Sequence, residues 1–368
     1  QKTMKKACSQ TKIVATLGPA SSSQEVLTKL IQEGVDVFRL NFSHSSQEEH
    51  LKSIQLIKDL NRELNTHVAI LADLQGPKLR VGEIENNRID LAEGDIITFV
   101  TQKCVGTKER IYMSYQEFPH DVNVGEAILI DDGKIKLEVV ETNKTDTVKA
   151  RVIYGGPLSS KKGVNLPNTK VSFPCLTKED ISNANFALDN HVDWIALSFV
   201  RKASDILDLK ELIKEKNGHA GVIAKIEKPE ALDDIDGIIE NTDGVMVARG
   251  DLGVEVSFDR VPLLQKLIVE KCIAMAKPVI IATQMMESMI TNFTPTRAEA
   301  NDVANAVLDS ADALMLSGET SVGKYPVQTI LSMQKIIDYT EKNGNPFNNL
   351  HVPKKKPLNC LDDLIFYN

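Results

Sequence analysis

The sequence contains no apolar run long enough to cross a membrane. Such a span needs about 20 consecutive apolar residues, and every apolar stretch in this chain is far shorter. The segment from Gln1 to Thr16 is basic and polar and lacks the apolar core of a secretory signal. We therefore expect a cytoplasmic protein without a membrane partner.

Paired cysteines and an excess of positive charge are also missing. The five cysteines, Cys8, Cys104, Cys175, Cys272 and Cys360, have no disulfide or metal-ligand spacing, which indicates reduced thiols. The 43 Lys and Arg residues are outnumbered by 51 Asp and Glu residues, and the net charge of -8 argues against a nucleic-acid partner. With 42% hydrophobic residues the chain can bury a core, and its 368 residues favour two domains.

The sequence lacks two phosphate-binding motifs and the residue order of a catalytic triad. No Gly-x-x-x-x-Gly-Lys-Ser/Thr loop occurs, and no Gly-x-Gly-x-x-Gly follows the first strand-like run, Lys12–Leu17. No Ser, His and Asp residues follow an order that suggests a nucleophilic triad. These absences argue against a P-loop enzyme, a dinucleotide-binding sheet and a serine hydrolase.

Short apolar runs alternate with segments of helical periodicity over most of the chain. Three predicted strands precede residue 76: Lys12–Leu17, Val35–Phe42 and Val68–Leu74. Five follow residue 174: Trp194–Val200, Gly221–Glu227, Gly244–Ala248, Pro278–Thr283 and Asp312–Leu316. Eight strands that alternate with helices are typical of a (β/α)8 barrel, an α/β fold. An open doubly wound sheet is the alternative, which the missing glycine-rich turn disfavours.

The helical periodicity disappears between Gly76-Pro77 and Pro174. Short β runs replace it, at Ile96–Thr101, Ala127–Ile130, Ile135–Val140 and Thr147–Ile153, and Asp132-Gly133 is a hairpin turn signal. We interpret this region as a small all-β domain inserted after the third barrel strand. The predicted division is 1–76 and 175–344 for the barrel, 77–174 for the insertion and 345–368 for a tail.

The stretch from Gly221 to Gly253 combines two predicted strands with charged residues at their ends. Lys225 and Glu227 are two residues apart and would point to the same side of a strand, and Arg249 and Asp251 end the next run. A protein core rarely contains such groups unless they are paired or bind a ligand. Buried salt bridges are one explanation, and a site for a metal ion and an anion is the other.

Polar residues also end the other predicted strands. They are Arg39, Asn41 and Ser43 after the second, Asp73 after the third, Ser198 and Arg201, on either side of Phe199, after the fourth, Thr283 and Gln284 after the seventh, and Ser317 and Glu319, on either side of Gly318, after the eighth. The carboxyl ends of barrel strands share one rim, where active sites lie. Packing does not readily explain this convergence, so we predict a functional site there.

The residue types at this rim suggest phosphoryl chemistry. Glu227 and Asp251, on neighbouring strands, could share Mg²⁺, which takes one or two carboxylates and leaves its other positions to water and phosphate. Arg39 and Lys225 suit a phosphoryl group in transfer. Gly250 has no side chain, so a carboxylate could approach the backbone N–H groups after the sixth strand.

These residues stand in motifs that closely resemble those of the pyruvate kinase family. The matching stretches are Thr11–Ser21, Arg39–Ser45, Lys161–Pro167, Lys225–Glu227, Met246–Gly253, Ala282–Ile290, Pro295–Leu308 and Met315–Thr320. The resemblance implies transfer of a phosphoryl group from phosphoenolpyruvate to ADP, giving pyruvate and ATP. It also implies that the inserted β domain is a lid over the nucleotide.

The resemblance further implies roles for individual residues. Glu227 and Asp251 would bind Mg²⁺ or Mn²⁺. The residues implied as catalytic are Arg39, Lys225, Thr283 and Ser317, of which the last two lie on the path that protonates the enolate. Those implied to bind the substrate are Arg39, Lys225, Gly250, Asp251 and Thr283. Those implied to lie near the nucleotide are Arg80, His44 and Asn41.

One departure from the common family pattern concerns K⁺. Many members hold this ion with residues equivalent to Asn41, Ser43 and Asp73, and have a glutamate where this chain has Lys78. The chain therefore resembles the K⁺-independent bacterial branch. Because an ammonium group can replace a monovalent cation, we expect Lys78 to do so and K⁺ not to be required.

The resemblance also bears on assembly. The family normally continues past Lys342 with a further α/β domain, whereas residues 345–368 are a short tail. The segment Thr296–Leu308 resembles a contact between barrels. We therefore expect a homo-oligomer, a dimer through the barrel and a tetramer where the C-terminal domain is present.

Two other functions would share part of this residue pattern. A lyase or aldolase-like barrel would share the metal carboxylates but would need neither the β lid nor Lys225. An inactive, metabolite-binding relative would have lost at least one of the five principal site residues. All five are present: Arg39, Lys225, Glu227, Asp251 and Thr283.

Overall fold

The computed structural model describes residues 9–344. Cys8, Cys360 and the predicted tail lie outside the described residues. In the range 9–344, no helix has both the length and the hydropathy that a membrane span requires. The cysteines of this range, Cys104, Cys175 and Cys272, are free thiols, as the sequence predicts.

Sixteen strands occur in the described part of the chain. They are β1 (Lys12–Thr16), β2 (Val37–Asn41), β3 (Ala69–Asp73), β4 (Ile89–Leu91), β5 (Ile96–Val100), β6 (Arg110–Tyr112), β7 (Ala127–Ile130), β8 (Ile135–Thr142), β9 (Thr147–Tyr154), β10 (Gly156–Leu158), β11 (Val164–Asn165), β12 (Trp194–Leu197), β13 (Gly221–Ile226), β14 (Gly244–Ala248), β15 (Val279–Ala282) and β16 (Ala313–Leu316). Eight of them close into a parallel barrel in the order β1, β16, β15, β14, β13, β12, β3, β2. The predicted (β/α)8 barrel is confirmed.

Twelve α-helices accompany these strands between residues 9 and 344. They are α1 (Gln24–Glu33), α2 (Gln47–Leu64), α3 (Phe118–Asp121), α4 (Lys178–Asp189), α5 (Ala203–Glu215), α6 (Pro229–Asp233), α7 (Ile235–Asn241), α8 (Arg249–Glu255), α9 (Val261–Ala274), α10 (Arg297–Leu308), α11 (Gly318–Ser321) and α12 (Pro326–Asn343). Two 3-10 helices, Glu85–Asn87 and Glu287–Ile290, complete the set. A capping box precedes α10, because the Thr296 hydroxyl accepts the Glu299 N–H and the Glu299 carboxylate accepts the Thr296 N–H.

Apolar strands explain how the barrel is stabilised. All five positions of β14 are buried, because a parallel strand in such a fold is covered on both faces. One cluster, which includes Leu71, Ile223 and Met246, fills the barrel interior, and a larger one joins the strands to the surrounding helices. The ring closes where β1 pairs with β16, with Lys12 beside Ala313.

The segment between β3 and β12 has a hydrophobic core of its own. It contains a six-stranded sheet in the order β11, β7, β8, β9, β5, β6 and a two-stranded sheet of β4 and β10, so the inserted β domain is confirmed. The helix α3 and one 3-10 helix also lie within it. The predicted turn at Asp132-Gly133 joins antiparallel β7 and β8, with φ of 56° and 82° at these residues.

The chain leaves the barrel for the inserted domain at Gly76. Its φ is +70°, and a Cβ atom there would lie 2.8 Å from the Ser198 Cβ and 2.9 Å from the Phe199 ring. Its N–H donates to the Asp180 carboxylate at 3.0 Å. The crossing therefore needs glycine both for its backbone angle and for its close approach to the end of β12.

Gly76→Ala should lower the free energy of unfolding by about 1–3 kcal/mol, since it adds overpacking to backbone strain. Gly94→Ala is the matched control, because its φ is +87° but nothing lies within 4 Å of a Cβ atom there. In this control only backbone strain should lower the free energy of unfolding, by about 1 kcal/mol. Chemical denaturation measures both, and equal losses would show that the contact with β12 costs nothing.

Candidate functional site

Four charged side chains meet at the carboxyl ends of adjacent barrel strands. Arg39 Nε lies 2.6 Å from Asp73 Oδ2, and Lys225 Nζ lies 3.1 Å from Asp73 Oδ1 and 3.0 Å from Glu227 Oε1. The exposed fractions are 8% for Arg39, 1% for Asp73, 9% for Lys225 and 1% for Glu227. Buried ion pairs are therefore present at the charged strand ends, as the first of the two explanations predicts.

Hydrogen bonds fix the cations of this cluster in place. The Lys225 ammonium donates to the Ser198 hydroxyl at 2.7 Å, and Arg39 Nη1 donates to the Thr16 hydroxyl at 3.0 Å. Glu227 Oε2 accepts the Phe199 N–H at 2.6 Å, and Phe199 has a φ of +55°. A non-glycine residue in this conformation is strained, which is common where a backbone is shaped for function.

Burial and neighbouring charges shift the pKa values of the cluster in different directions. Burial alone would raise the pKa of Asp73, but the charges of Lys225 and Arg39 outweigh it and keep that pKa below its usual value. Burial likewise opposes the ammonium form, yet Asp73 and Glu227 raise the pKa of Lys225. Both groups are therefore charged at neutral pH.

Glu227 behaves differently from Asp73. Burial raises its pKa, Lys225 opposes the rise, and the negative charge of Asp251 adds to it. The two carboxylates therefore repel each other across the ends of neighbouring strands. A divalent cation would relieve this repulsion, and two carboxylates that leave positions free for water and phosphate are the donor set that Mg²⁺ prefers. No cluster of three or more His, Cys, Asp or Glu residues suited to a metal occurs in residues 9–344.

Asp251 and Gly250 lie in the first turn of α8, directly after β14. The Gly250 N–H donates to the Thr283 hydroxyl at 2.7 Å, which joins the ends of β14 and β15. Thr283 and Gln284 have φ of 71° and 55°. The structure thus brings Gly250 and Thr283 together, as expected for one binding surface.

Arg249, also a candidate from its position, serves as an anchor. Its guanidinium donates to the Thr283 carbonyl at 2.7 Å and forms an ion pair with Asp302 on α10 at 2.8 Å. These contacts hold the Thr283 backbone against the barrel helices. The side chain of Arg249 is therefore committed to the scaffold.

The residues of the predicted nucleotide and monovalent-cation sites are spread more widely. The Asn41 side chain accepts the Ser43 N–H at 3.1 Å. Ser317, predicted to lie on the proton path with Thr283, donates its N–H to Glu319 at 2.7 Å. Within residues 9–344, no hydrogen bond joins Ser317 to Thr283. A cavity of about 470 Å³ lies beside this region, lined by residues that include Gly18, Pro19, Ser45 and His50.

Two predicted residues lie on the inserted domain, just after the crossing. The Arg80 guanidinium donates to the Lys161 carbonyl at 3.0 Å. Lys78 is exposed and lines the cleft between the domains together with Asp251 and Glu255. Lys78 makes no ion pair with Asp73 or any other carboxylate in the described range.

Two residues of the site, Thr16 and His50, carried no distinguishing signal in the sequence. His50 on α2 bonds the His44 carbonyl at 3.0 Å and stacks on Phe42. Thr16 accepts a hydrogen bond from Arg39, whereas Ser198, which accepts one from Lys225, was predicted as a polar residue at the end of its strand. A buried hydroxyl looks like any core-lining Ser or Thr in sequence, and His50 falls on the apolar face of its helix.

Comparison with known proteins relates this arrangement to one family. The family model described as the pyruvate kinase barrel domain matches residues 8–330. A pyruvate kinase from Bacillus licheniformis is 45% identical over 97% of this chain, and one from Mycobacterium intracellulare is 46% identical over 94%. The chain spans 61% of the length of the first and 73% of the second. A crystal structure of a pyruvate kinase from Cryptosporidium parvum matches 91% of this chain and is itself covered over 70%, with a TM-score of 0.88 and 37% identity.

His50 should make stability depend on pH. Burial lowers the pKa of its imidazole below 6.5, so the folded state binds fewer protons than the unfolded state. The free energy of unfolding should therefore fall as pH drops below 6.5, by at most about 1.4 kcal/mol per pH unit from this group. His50→Gln, which keeps a donor for the His44 carbonyl, should show a shallower fall between pH 7 and 5 in denaturation experiments. An unchanged slope would contradict this assignment.

Proposed function

This chain belongs to the pyruvate kinase family, and we propose that it transfers a phosphoryl group from phosphoenolpyruvate to ADP, giving pyruvate and ATP. The observation that carries this proposal is the ammonium of Lys225, held between Asp73 and Glu227 at the barrel rim. A buried cation fixed in this way is suited to a group whose negative charge moves during reaction.

Arg39 and Lys225 would contact the phosphoryl oxygens from two sides. Both are oriented by Asp73, so their positions are set before the substrate binds. In the reaction, the bond between phosphorus and the enolate oxygen breaks, and a bond to a terminal oxygen of ADP forms. Fixed cations lower the cost of the charge that spreads over the transferred group, because they need not reorganise.

Glu227 and Asp251 are the residues that would hold Mg²⁺ or Mn²⁺. The bound ion would neutralise negative charge on the phosphate and enolate oxygens. Gly250, Asp251 and Thr283 would bind the substrate carboxylate. The enolate that remains after transfer must take up a proton on carbon, and we propose that Thr283 and Ser317 lie on the path of that proton.

The nucleotide would bind next to this centre. Asn41, His44 and Arg80 are the proposed phosphate contacts, and the cavity of about 470 Å³ beside Ser45 and His50 could receive the rest of the molecule. The inserted domain would cover the cleft, where an unprotonated enolate must be kept from bulk water. A cytoplasmic location and a dimer through the barrel surface near α10 complete the proposal.

Lys225→Met should reduce the rate of pyruvate formation by at least about 100-fold, because it removes a preorganised charge from the transition state. The assay is pyruvate release from phosphoenolpyruvate and ADP with Mg²⁺. Lys210→Met is the matched control, since Lys210 pairs with Asp243 before β14, at the other end of the barrel. Thermal melting establishes that both variants fold. A Lys225→Met enzyme within threefold of the unmodified rate would refute the assigned role.

Lys78→Glu should create a requirement for K⁺. The unpaired ammonium of Lys78 lies in a cleft with Asp251 and Glu255, so the substitution replaces a compensating positive charge with a negative one. Turnover of the unmodified protein should be the same with and without K⁺, whereas the variant should regain activity as K⁺ is added. Lys103→Glu, an exposed lysine elsewhere in the inserted domain, is the control. Turnover of the unmodified protein only with K⁺ would contradict the proposal.

A further inference from the structure

A buried polar contact crosses the cleft between the inserted domain and the barrel. Asn165 on β11 donates from Nδ2 to Glu255 Oε1 on α8 at 2.8 Å, and Lys228 Nζ donates to the same oxygen at 2.9 Å. Asn165 is 9% exposed, Glu255 5% and Lys228 6%. Further side-chain hydrogen bonds between the domains run from the Arg201 guanidinium to the Val171 and Phe173 carbonyls, at 2.7 Å each, close to the point where the chain re-enters the barrel.

On the barrel side, Glu255 and Lys228 each lie close in the chain to one of the two proposed metal carboxylates. Asp251 and Glu255 are four residues apart on α8, so they lie on the same face of that helix, one turn apart. Lys228 directly follows Glu227 in the chain. The two segments that carry the carboxylates are therefore tied to each other through Glu255, and Asn165 ties both to the inserted domain.

The inserted domain touches α8 at a second point. The turn between β7 and β8 approaches it, since a Cβ atom on Gly133 would lie 3.7 Å from Val254 Cγ1. Glu255 Oε2 is buried without a hydrogen-bond partner in the described structure. A half-satisfied buried carboxylate costs stability, so this contact is poorly explained as a packing device.

We propose that Glu255 is a positioning residue that couples docking of the inserted domain to the binding of a divalent cation by Glu227 and Asp251. This inference rests on the proposed function for its metal site. When Asn165 docks, α8 and the Lys228 segment are held together and the two carboxylates are fixed at their binding separation. Because such coupling is reciprocal, the bound cation also favours the docked domain.

The test uses Mn²⁺ alone as the probe, with two readouts that do not depend on turnover. Electron paramagnetic resonance gives the dissociation constant of Mn²⁺, and hydrogen exchange with mass spectrometry reports protection of β11 and of the Asp132-Gly133 turn. In the unmodified full chain, Mn²⁺ should slow exchange in both segments. Asn168→Ala is the matched control, because Asn168 bonds only the Ala127 N–H inside the inserted domain.

Asn165→Ala should weaken Mn²⁺ binding about tenfold and abolish the Mn²⁺-dependent protection, since a hydrogen bond to a buried charged group is lost. Asn165→Asp should weaken it further, because two carboxylates would face each other. Glu255→Gln alone leaves Lys228 without its anion and is expected to lower the melting temperature. The double variant Asn165→Asp with Glu255→Gln exchanges amide and carboxylate, so it should recover most of the affinity and protection.

The proposal would be overturned if Asn165→Ala bound Mn²⁺ within twofold of the unmodified affinity and its Mn²⁺-dependent protection were unchanged. The proposal would also be overturned if the double variant bound Mn²⁺ no more tightly than the two single effects combined predict. That result would show no coupling between Asn165 and Glu255. Absence of pyruvate formation with the Mn²⁺ coupling intact would defeat only the proposed function. Normal turnover with Mn²⁺ binding insensitive to Asn165 would defeat only the coupling.

Discussion

Two cations and two carboxylates buried together form the constraint on which the rest of the structure depends. Removing such charges from water is expensive, and the cost is recovered only when each charge is paired and hydrogen-bonded. Asp73, Arg39, Lys225 and Glu227 come from the ends of three strands, β2, β3 and β13, so their pairing requires these strands and the intervening β12 to be in the right register. The hydroxyls of Thr16 and Ser198 complete the arrangement. The barrel provides this register through continuous parallel pairing. Burial of its apolar strands offsets the free-energy cost of removing the charges from water.

Much of this fold could be predicted from the sequence, because buried strands and helices require a regular pattern of apolar residues. The bounds of β14 agree with the predicted Gly244–Ala248, since this strand is wholly apolar and has a clear end. The strands β4, β6, β10 and β11 were not predicted. Each has only two or three residues, too few for an alternation to be visible, and β4, β10 and β11 form through pairing partners distant in the chain.

The site was predictable to the extent that charge at a strand end is unusual. That feature identified Arg39, Asp73, Lys225 and Glu227, which the structure brings together. It could not separate Arg249, an anchor for the Thr283 backbone, from residues that face the cleft. It also could not identify Asn165 or Glu255, because a contact between two domains depends on how they dock, and neither local periodicity nor residue type records that.

The pairing of β1 with β16 has a consequence for how the chain folds during synthesis. β1 finds one neighbour in β2 soon after it is made, but its other neighbour begins about 300 residues later, at Ala313. Until then one edge of β1 has no strand beside it, and an unpaired edge invites association with other chains. The inserted domain has its own core and can fold in the meantime, since domains generally fold as units. Because pairing between distant parts of a chain is slow, we expect ring closure to be the slow step of folding and the nascent barrel to be most prone to aggregation just before it.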